Sequence, residues 1–302
     1  MNDLRQLRHF VALAEHGHFA RAADAVHLSQ PALSRSIQAL EANLGCSLLD
    51  RQNRGIRLTA HGDLVLEHAR RLLAGSLALG NAVSQLGNLQ TGELRLGAGP
   101  YPAARLVPRA IGQFARSYPR VRVHLQIDNW ESLHQRLLNE NIELFVADTR
   151  ELQSDERLNI IALQQSPGVI FCRPGHPLLS RNPPSLLDLQ DYPLAGTHLP
   201  KEVVSDLQSL SNTEQILGIE CDNFMVLKAL VADSDVLSMA PWDVVADEVA
   251  SGQLALLHVH DRALQHSAYG VVSRAGHSLS PAANQWQSVL LELDQQPVVP
   301  LP

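Results

Sequence analysis

The spacing of apolar residues changes near residue 90, which restricts the chain to folds with a mainly helical front and an alternating strand–helix remainder. In front, Leu4, Leu7, Phe10, Val11 and Ala14 recur at helical intervals, and Gly17 ends the stripe. Phe19, Ala22, Ala23 and Val26 predict a second, short helix. Ser29 is a sound N-cap with Pro31 in the first turn, and the third helix buries Leu33, Ile37, Leu40 and Leu44 before Gly45 stops it. Residues 48–58 read as a hairpin with Asn53, Arg54 and Gly55 at its tip. Thr59 then caps a long helix that reaches about Gly87. Beyond residue 91, strands at 94–98, 121–127, 144–147 and 169–172 are separated by helices at 103–117 and 133–138. That alternation predicts parallel βαβ units and an α/β fold.

The long helix carries a heptad seam. Val65, Ala69, Leu72, Ser76, Leu79, Val83 and Leu86 step alternately by four and three, and Ser76 is its polar member. Such a seam suits a two-stranded coiled coil between two copies of the chain; the alternative is a helix packed on its own domain. Gly75, Gly80 and Gly87 each cost the helix about 1 kcal/mol relative to alanine, so it needs tertiary support.

Two domains fit 302 residues, and 45% hydrophobic against 18% charged residues excludes a disordered chain. The net charge of −7 argues at first against nucleic acid. Residues 1–90, however, hold nine arginines and seven acids, a net of +2, and the remainder carries −9. A mildly basic front therefore precedes a strongly acidic bulk. No apolar run approaches the roughly 18 residues of a membrane span, and Met1 to Phe10 lacks the apolar core of a secretory signal. Cys46, Cys172 and Cys221 form no CxxC pair and give no disulfide framework, so a reducing cytoplasm is expected.

Two short helices joined by a tight turn have helix-turn-helix proportions. Gln30, Ser34, Arg35 and Gln38 lie opposite the buried face of the third helix, where glutamine reads adenine, arginine reads guanine or phosphate, and Ser34 adapts to either. The helix N-terminus at Ser29–Ala32, with Pro31 contributing no N–H, can donate the remaining backbone N–H groups to a phosphate. Arg51, Arg54 and Arg57 would act as a wing along the DNA backbone or minor groove. These features alone leave open a small helical domain with incidental surface arginines.

The motifs resemble those of LysR-type transcriptional regulators. Paired alanines at 22 and 23, Gln-Pro-Ala-Leu-Ser at 30–34, Leu-Glu-x-x-Leu-Gly at 40–45, Leu-Leu-Asp-Arg at 48–51 and Arg-x-x-x-Leu-Thr-x-x-Gly at 54–62 follow the family's order and spacing. His18 stands where the family usually has a serine cap, and Leu49 where it usually has phenylalanine. The resemblance extends through 92–97, 173–178, 186–194 and 271–293. It implies a winged helix-turn-helix over 1–60, a linker and dimerisation helix over 61–90, a regulatory domain over 91–295 and a flexible tail over 296–302. The regulatory domain would be two α/β lobes like a type II periplasmic binding protein, with a small-molecule effector in the cleft. Further implications are a dimer or dimer of dimers on a pseudo-palindromic operator, with RNA polymerase as an additional partner.

The turn at Gly99, Pro100 and Tyr101 leads from the first strand into a helix N-terminus, a natural carboxylate site. Pro102 occupies the third glycine position of GxGxxG, which rejects a dinucleotide loop. By resemblance, Asn129, Trp130, Asp148, Thr197, His198, Leu199 and Phe224 complete the cleft. Tyr101, Trp130, Asp148 and Phe224 make its mouth aromatic and partly acidic, favouring an aromatic, neutral or cationic ligand over a dicarboxylate; Trp130 and Phe224 as ordinary core residues are the alternative. A thiol sensor built on Cys172 and Cys221 is a second reading, against which inert cysteines weigh more heavily. A small-molecule binding protein without a DNA-reading head is a third. His258 and His260 lack further ligands at metal spacing, and no nucleophile elbow, phosphate loop or cofactor motif is present, so neither a metal site nor an enzyme is expected.

Overall fold

The computed structural model describes residues 3–50, 56–85, 92–181, 184–211, 216–259, 265–296 and 301. The chain forms two compact units, one of residues 1–84 with 138–141, the other of 85–137 with 142–302.

In the first unit, α1 (Leu4–His16) begins at Asp3, whose carboxylate accepts from the Arg5 N–H, and ends at Gly17 in the left-handed conformation. Helix α2 (Phe19–Ala25) is capped by His18, whose Nδ1 accepts from the Ala20 N–H at 3.2 Å. The histidine thus performs the capping that the resemblance assigns to serine. Helix α3 (Gln30–Leu44) starts with the Ser29 hydroxyl accepting from Ala32 and stops at Gly45, as its sequence predicts. Leu7, Phe10, Leu13, Leu33, Ile37 and Leu40 are buried between the three helices. Strands β1 (Leu49–Asp50) and β2 (Arg57–Leu58) form the antiparallel hairpin, with Leu49 opposite Leu58; Leu49 is buried where the family has a larger ring. The Glu41 carboxylate accepts from the Leu48 and Leu49 N–H groups at 2.8 and 3.3 Å, tying α3 to the hairpin. Thr59 donates to the Ser47 carbonyl and accepts from Gly62, opening α4 (Ala60–Gln85). The hairpin tip at 53–55 and Leu86 lie outside the described residues.

The second unit has two lobes. Its elements in order are β3 (Gly92–Ala98), α5 (Pro100–Ala104), α6 (Leu106–Ser117), β4 (Val121–Ile127), α7 (Trp130–Leu138), β5 (Leu144–Asp148) and β6 (Leu158–Ala162). The chain then builds β7 (Gly168–Cys172), α8 (Leu186–Leu189), β8 (Leu194–Gly196), α9 (Lys201–Ser211), β9 (Ile219–Glu220), α10 (Phe224–Ala232), β10 (Leu237–Pro241), α11 (Ala246–Ala250) and β11 (Ala255–Leu257). It returns through β12 (Tyr269–Arg274) and α12 (Pro281–Asp294). The helix expected over 103–117 is two helices with a break at Arg105. Pro108 explains the break: it has no N–H for the Ala104 carbonyl, and its ring would crowd that carbonyl in a continuous helix.

Lobe I is a sheet of order β4-β3-β5-β12-β6, and lobe II one of order β11-β7-β10-β8-β9. The expected parallel pairing holds for β3 with β4 and β5, and for β8 with β9 and β10. It fails for β12, antiparallel to β5 and β6, and for β7, antiparallel to β10 and β11. The sheets are mixed because the chain crosses between lobes twice, and its return strand enters lobe I against the direction of β5. The two crossings meet at buried Ser166 and Ser267: the Ser267 N–H donates to the Ser166 carbonyl at 2.8 Å, and the Ser166 N–H donates to the Ser267 hydroxyl at 2.9 Å. In lobe I, Leu94, Leu96, Phe114 and Trp286 fill the layer between the sheet and α6 with α12, while Leu133 and Phe145 pack under α7. Phe171, Leu227 and Val231 anchor α10 in lobe II.

Candidate nucleic-acid interface and ligand cleft

On α3, Ser29, Gln30, Pro31, Arg35 and Gln38 are exposed, and Ala32 and Ser34 are half-buried, while Leu33, Ile37 and Leu40 point inward. The sequence thus separates a polar reading face from a packed one at helical period. Arg57 is exposed on β2, whereas Arg51 and Arg54 lie outside the described residues.

The α4 seam divides in two. Ala69 is buried and Val65 half-buried in the first unit's own core, so Ala69 is taken up internally rather than offered to a partner. Leu72 and Leu79 are 53% and 66% exposed, large apolar side chains on one face. The side chain of Val83 lies outside the described residues.

Between the lobes lies a cavity of about 650 Å³. Gly99, Pro100, Tyr101, Asn129, Trp130, Asp148, Thr197, His198 and Leu199 all line it. Phe224 does not: as the first residue of α10 it turns inward, is 2% exposed, and sits edge-on to the Tyr101 ring with centroids 4.9 Å apart. Tyr101 donates to the Met239 carbonyl at 2.9 Å, carrying a lobe I turn onto lobe II, and burial pushes its phenol up to about 12. Much of the apolar wall comes from residues the sequence did not single out: Ile170, Leu194, Leu207, Ile216, Leu237 and Leu257 of lobe II. The lining is accordingly more aliphatic than aromatic.

The polar rim is paired internally. Asp148 ion-pairs with Arg150, which also reaches the Glu202 carboxylate at 3.7 Å and donates to the His266 carbonyl. Burial raises the Asp148 pKa, against the lowering by Arg150. The acidic mouth expected at Asp148 is therefore an ion pair. Asp222, which the sequence did not single out, accepts from the His198 N–H at 2.8 Å and from the Asn129 side chain at 3.2 Å, and so joins both lobes. The first helix N-terminus offers few donors for the carboxylate expected there. Pro100 and Pro102 lack N–H groups, the Ala103 N–H bonds to the Gly99 carbonyl, and α5 spans five residues.

Cys172 is fully buried on β7 and its thiol is pushed up to about 11 by burial. Cys221 follows β9, three strand positions away in the sheet order, on the order of 14 Å at normal strand spacing. That exceeds the roughly 7 Å Cα separation that a disulfide spans. Among the described residues, no group of three or more histidine, cysteine or acidic residues is arranged for a metal ion. No described helix is long and apolar enough to cross a membrane.

Comparison with known proteins decides the family. Residues 4–63 match the model for bacterial regulatory helix-turn-helix proteins of the lysR family, and residues 87–295 match the LysR substrate binding domain. The chain belongs to the LysR family. It is a DNA-binding transcriptional regulator with a small-molecule-binding domain, matched along nearly its whole length. A relative from Pseudomonas sp. (strain ATCC 19151), the SDS degradation transcriptional activation protein, is 67% identical over 297 residues, 97% of each chain. Among solved structures, the LysR regulator CbnR covers 98% of this chain and 100% of its own at 23% identity and a TM-score of 0.68. A full-length OxyR variant from Pseudomonas aeruginosa covers 98% and 95% at 20% identity and 0.65. These two likenesses carry the fold alone.

Proposed function

We propose that this LysR regulator activates genes for alkyl sulfate breakdown when a long-chain amphiphile occupies the interlobe cleft. The cavity carries the reading: its wall is largely aliphatic, and its volume falls in the ordinary range for a buried small ligand. The relative named for activating SDS degradation supplies the chemical class, since SDS is a dodecyl chain with a sulfate head. A chain buried there gains about 0.8 kcal/mol per methylene. Binding that favours one lobe arrangement over another then changes how two heads are presented to DNA.

The head reads operator DNA through Gln30, Ser34, Arg35 and Gln38, with Ser29, Pro31, Ala32 and the wing arginines Arg51, Arg54 and Arg57 on the backbone. Residues 1–60, 61–90 and 91–295 serve as head, linker and sensor, and 296–302 as a tail. Dimerisation runs through α4 at Leu72, Leu79, Val83 and Leu86, with Val65 at its margin. The protein works in the cytoplasm as a regulator without catalytic chemistry. Footprinting of bound genomic sites, followed by transcription in vitro from the promoters found, tests this. A decyl or dodecyl ligand should change the footprint and raise transcription from a sulfatase-type promoter; an unchanged footprint with every alkyl ligand would refute it.

A further inference from the structure

The cleft's charge arrangement speaks to the ligand's head group, an inference that rests on the alkyl-chain reading above. Among the described lining residues, Arg150 is the sole lysine or arginine, and it is held by Asp148, Glu202 and the His266 carbonyl. Backbone donors at the rim are engaged in the same way. The Lys201 N–H at the start of α9 goes to Glu151 at 3.0 Å, the His198 N–H to Asp222, and the Asn129 N–H to Asp128 at 3.0 Å. Pro100 and Pro102 remove two of the N–H groups at the start of α5. The guanidinium and these three rim N–H groups, which could counter a negative head, thus already serve the chain's own carboxylates.

We infer that the cleft selects an amphiphile with an uncharged hydroxyl head, a long-chain alcohol, and rejects the alkyl sulfate itself. A sulfate would meet Asp148 and Asp222, and no lysine or arginine among the described lining residues is left unpaired to offset the loss of its hydration. A hydroxyl is a donor, and a carboxylate such as Asp222, bound so far by Asn129 and His198, retains lone pairs to accept from it. Thr197, buried beside Tyr101, adds a neutral hydroxyl on the same side. Hydrolysis of an alkyl sulfate supplies such an alcohol. Water's oxygen replaces one side of the C–O–S ester, and alcohol and hydrogensulfate separate with no change in oxidation state. The regulator would then report product formed rather than surfactant present.

Calorimetric titration of the full-length protein with decan-1-ol, decyl sulfate and decanoate, each below its micelle concentration, tests this. Decan-1-ol should bind at least tenfold more tightly than either anion; decyl sulfate binding as tightly or more tightly overturns the inference while leaving the alkyl-chain reading in place. No binding by any of the three overturns that reading and this inference with it. Asp148→Asn removes one of the carboxylate partners of Arg150 and should narrow the alcohol-to-sulfate preference several-fold, with the fold retained by circular dichroism. A preference unmoved in that folded variant contradicts the assigned role of the Asp148–Arg150 pair.

Discussion

Gly62 stands where the first turn of α4 meets the hairpin, and a Cβ built there would lie 2.2 Å from the Leu48 carbonyl oxygen. The family motif Thr-x-x-Gly thus has a steric cause: Thr59 caps the helix while Gly62 lets its backbone approach the strand. Gly62→Ala should lower stability by about 1–3 kcal/mol, read as a drop in the melting temperature of the full-length chain. Arg35→Ala should weaken operator binding by about 1–3 kcal/mol and relax the preference at one base position, measured by gel shift on a panel of variant sites. Unchanged base preference would reassign Arg35 to the phosphate backbone. Cys172, with its thiol near 11, is protonated at neutral pH and closed to reagent; deprotonation begins to matter as pH rises toward that value. Iodoacetamide at pH 8 should label Cys46 and Cys221 in the native protein and leave Cys172 unlabelled, as read by mass spectrometry.

At the scale of elements, the head was legible because its signals are local. Ser29, Pro31 and Gly45 act within one helical turn, and the apolar stripe of α3 lies within fifteen residues. Pairing between distant strands leaves no such mark. Tyr269 faces Asp148 across β12 and β5, and nothing in either segment's spacing encodes that direction. The cleft has the same character. Tyr101 announced itself by its turn position and Asn129 through the family resemblance, but the pairing of Arg150 and the aliphatic wall of lobe II exist only after folding. The family resemblance puts Phe224 in the cleft, yet the N-cap at Asn223 sets α10 so that its first side chain points into the core. On α4 the heptad count assigned one seam, and the fold splits it, using Ala69 internally and leaving Leu72 and Leu79 exposed. Leu79→Asp should therefore convert the dimer to monomer with helix content unchanged, checked by sedimentation velocity with circular dichroism. A dimer that survives would move the interface elsewhere.

Across the whole molecule, the charge split fits the division of labour. A head of net +2 meets DNA, and an acidic remainder limits indiscriminate coating of it. Communication between them is a coupling free energy, so ligand and operator must alter each other's affinity by the same factor. The central claim is that a straight alkyl chain fills the lobe II side of the cleft. It is tested most directly by titrating the full-length protein with alkyl ligands of one head group and chain lengths from about six to about twelve carbons. The account predicts affinity rising roughly fourfold per methylene with a negative heat-capacity change. Affinity independent of chain length, or tighter binding by compact aromatic acids, would contradict it.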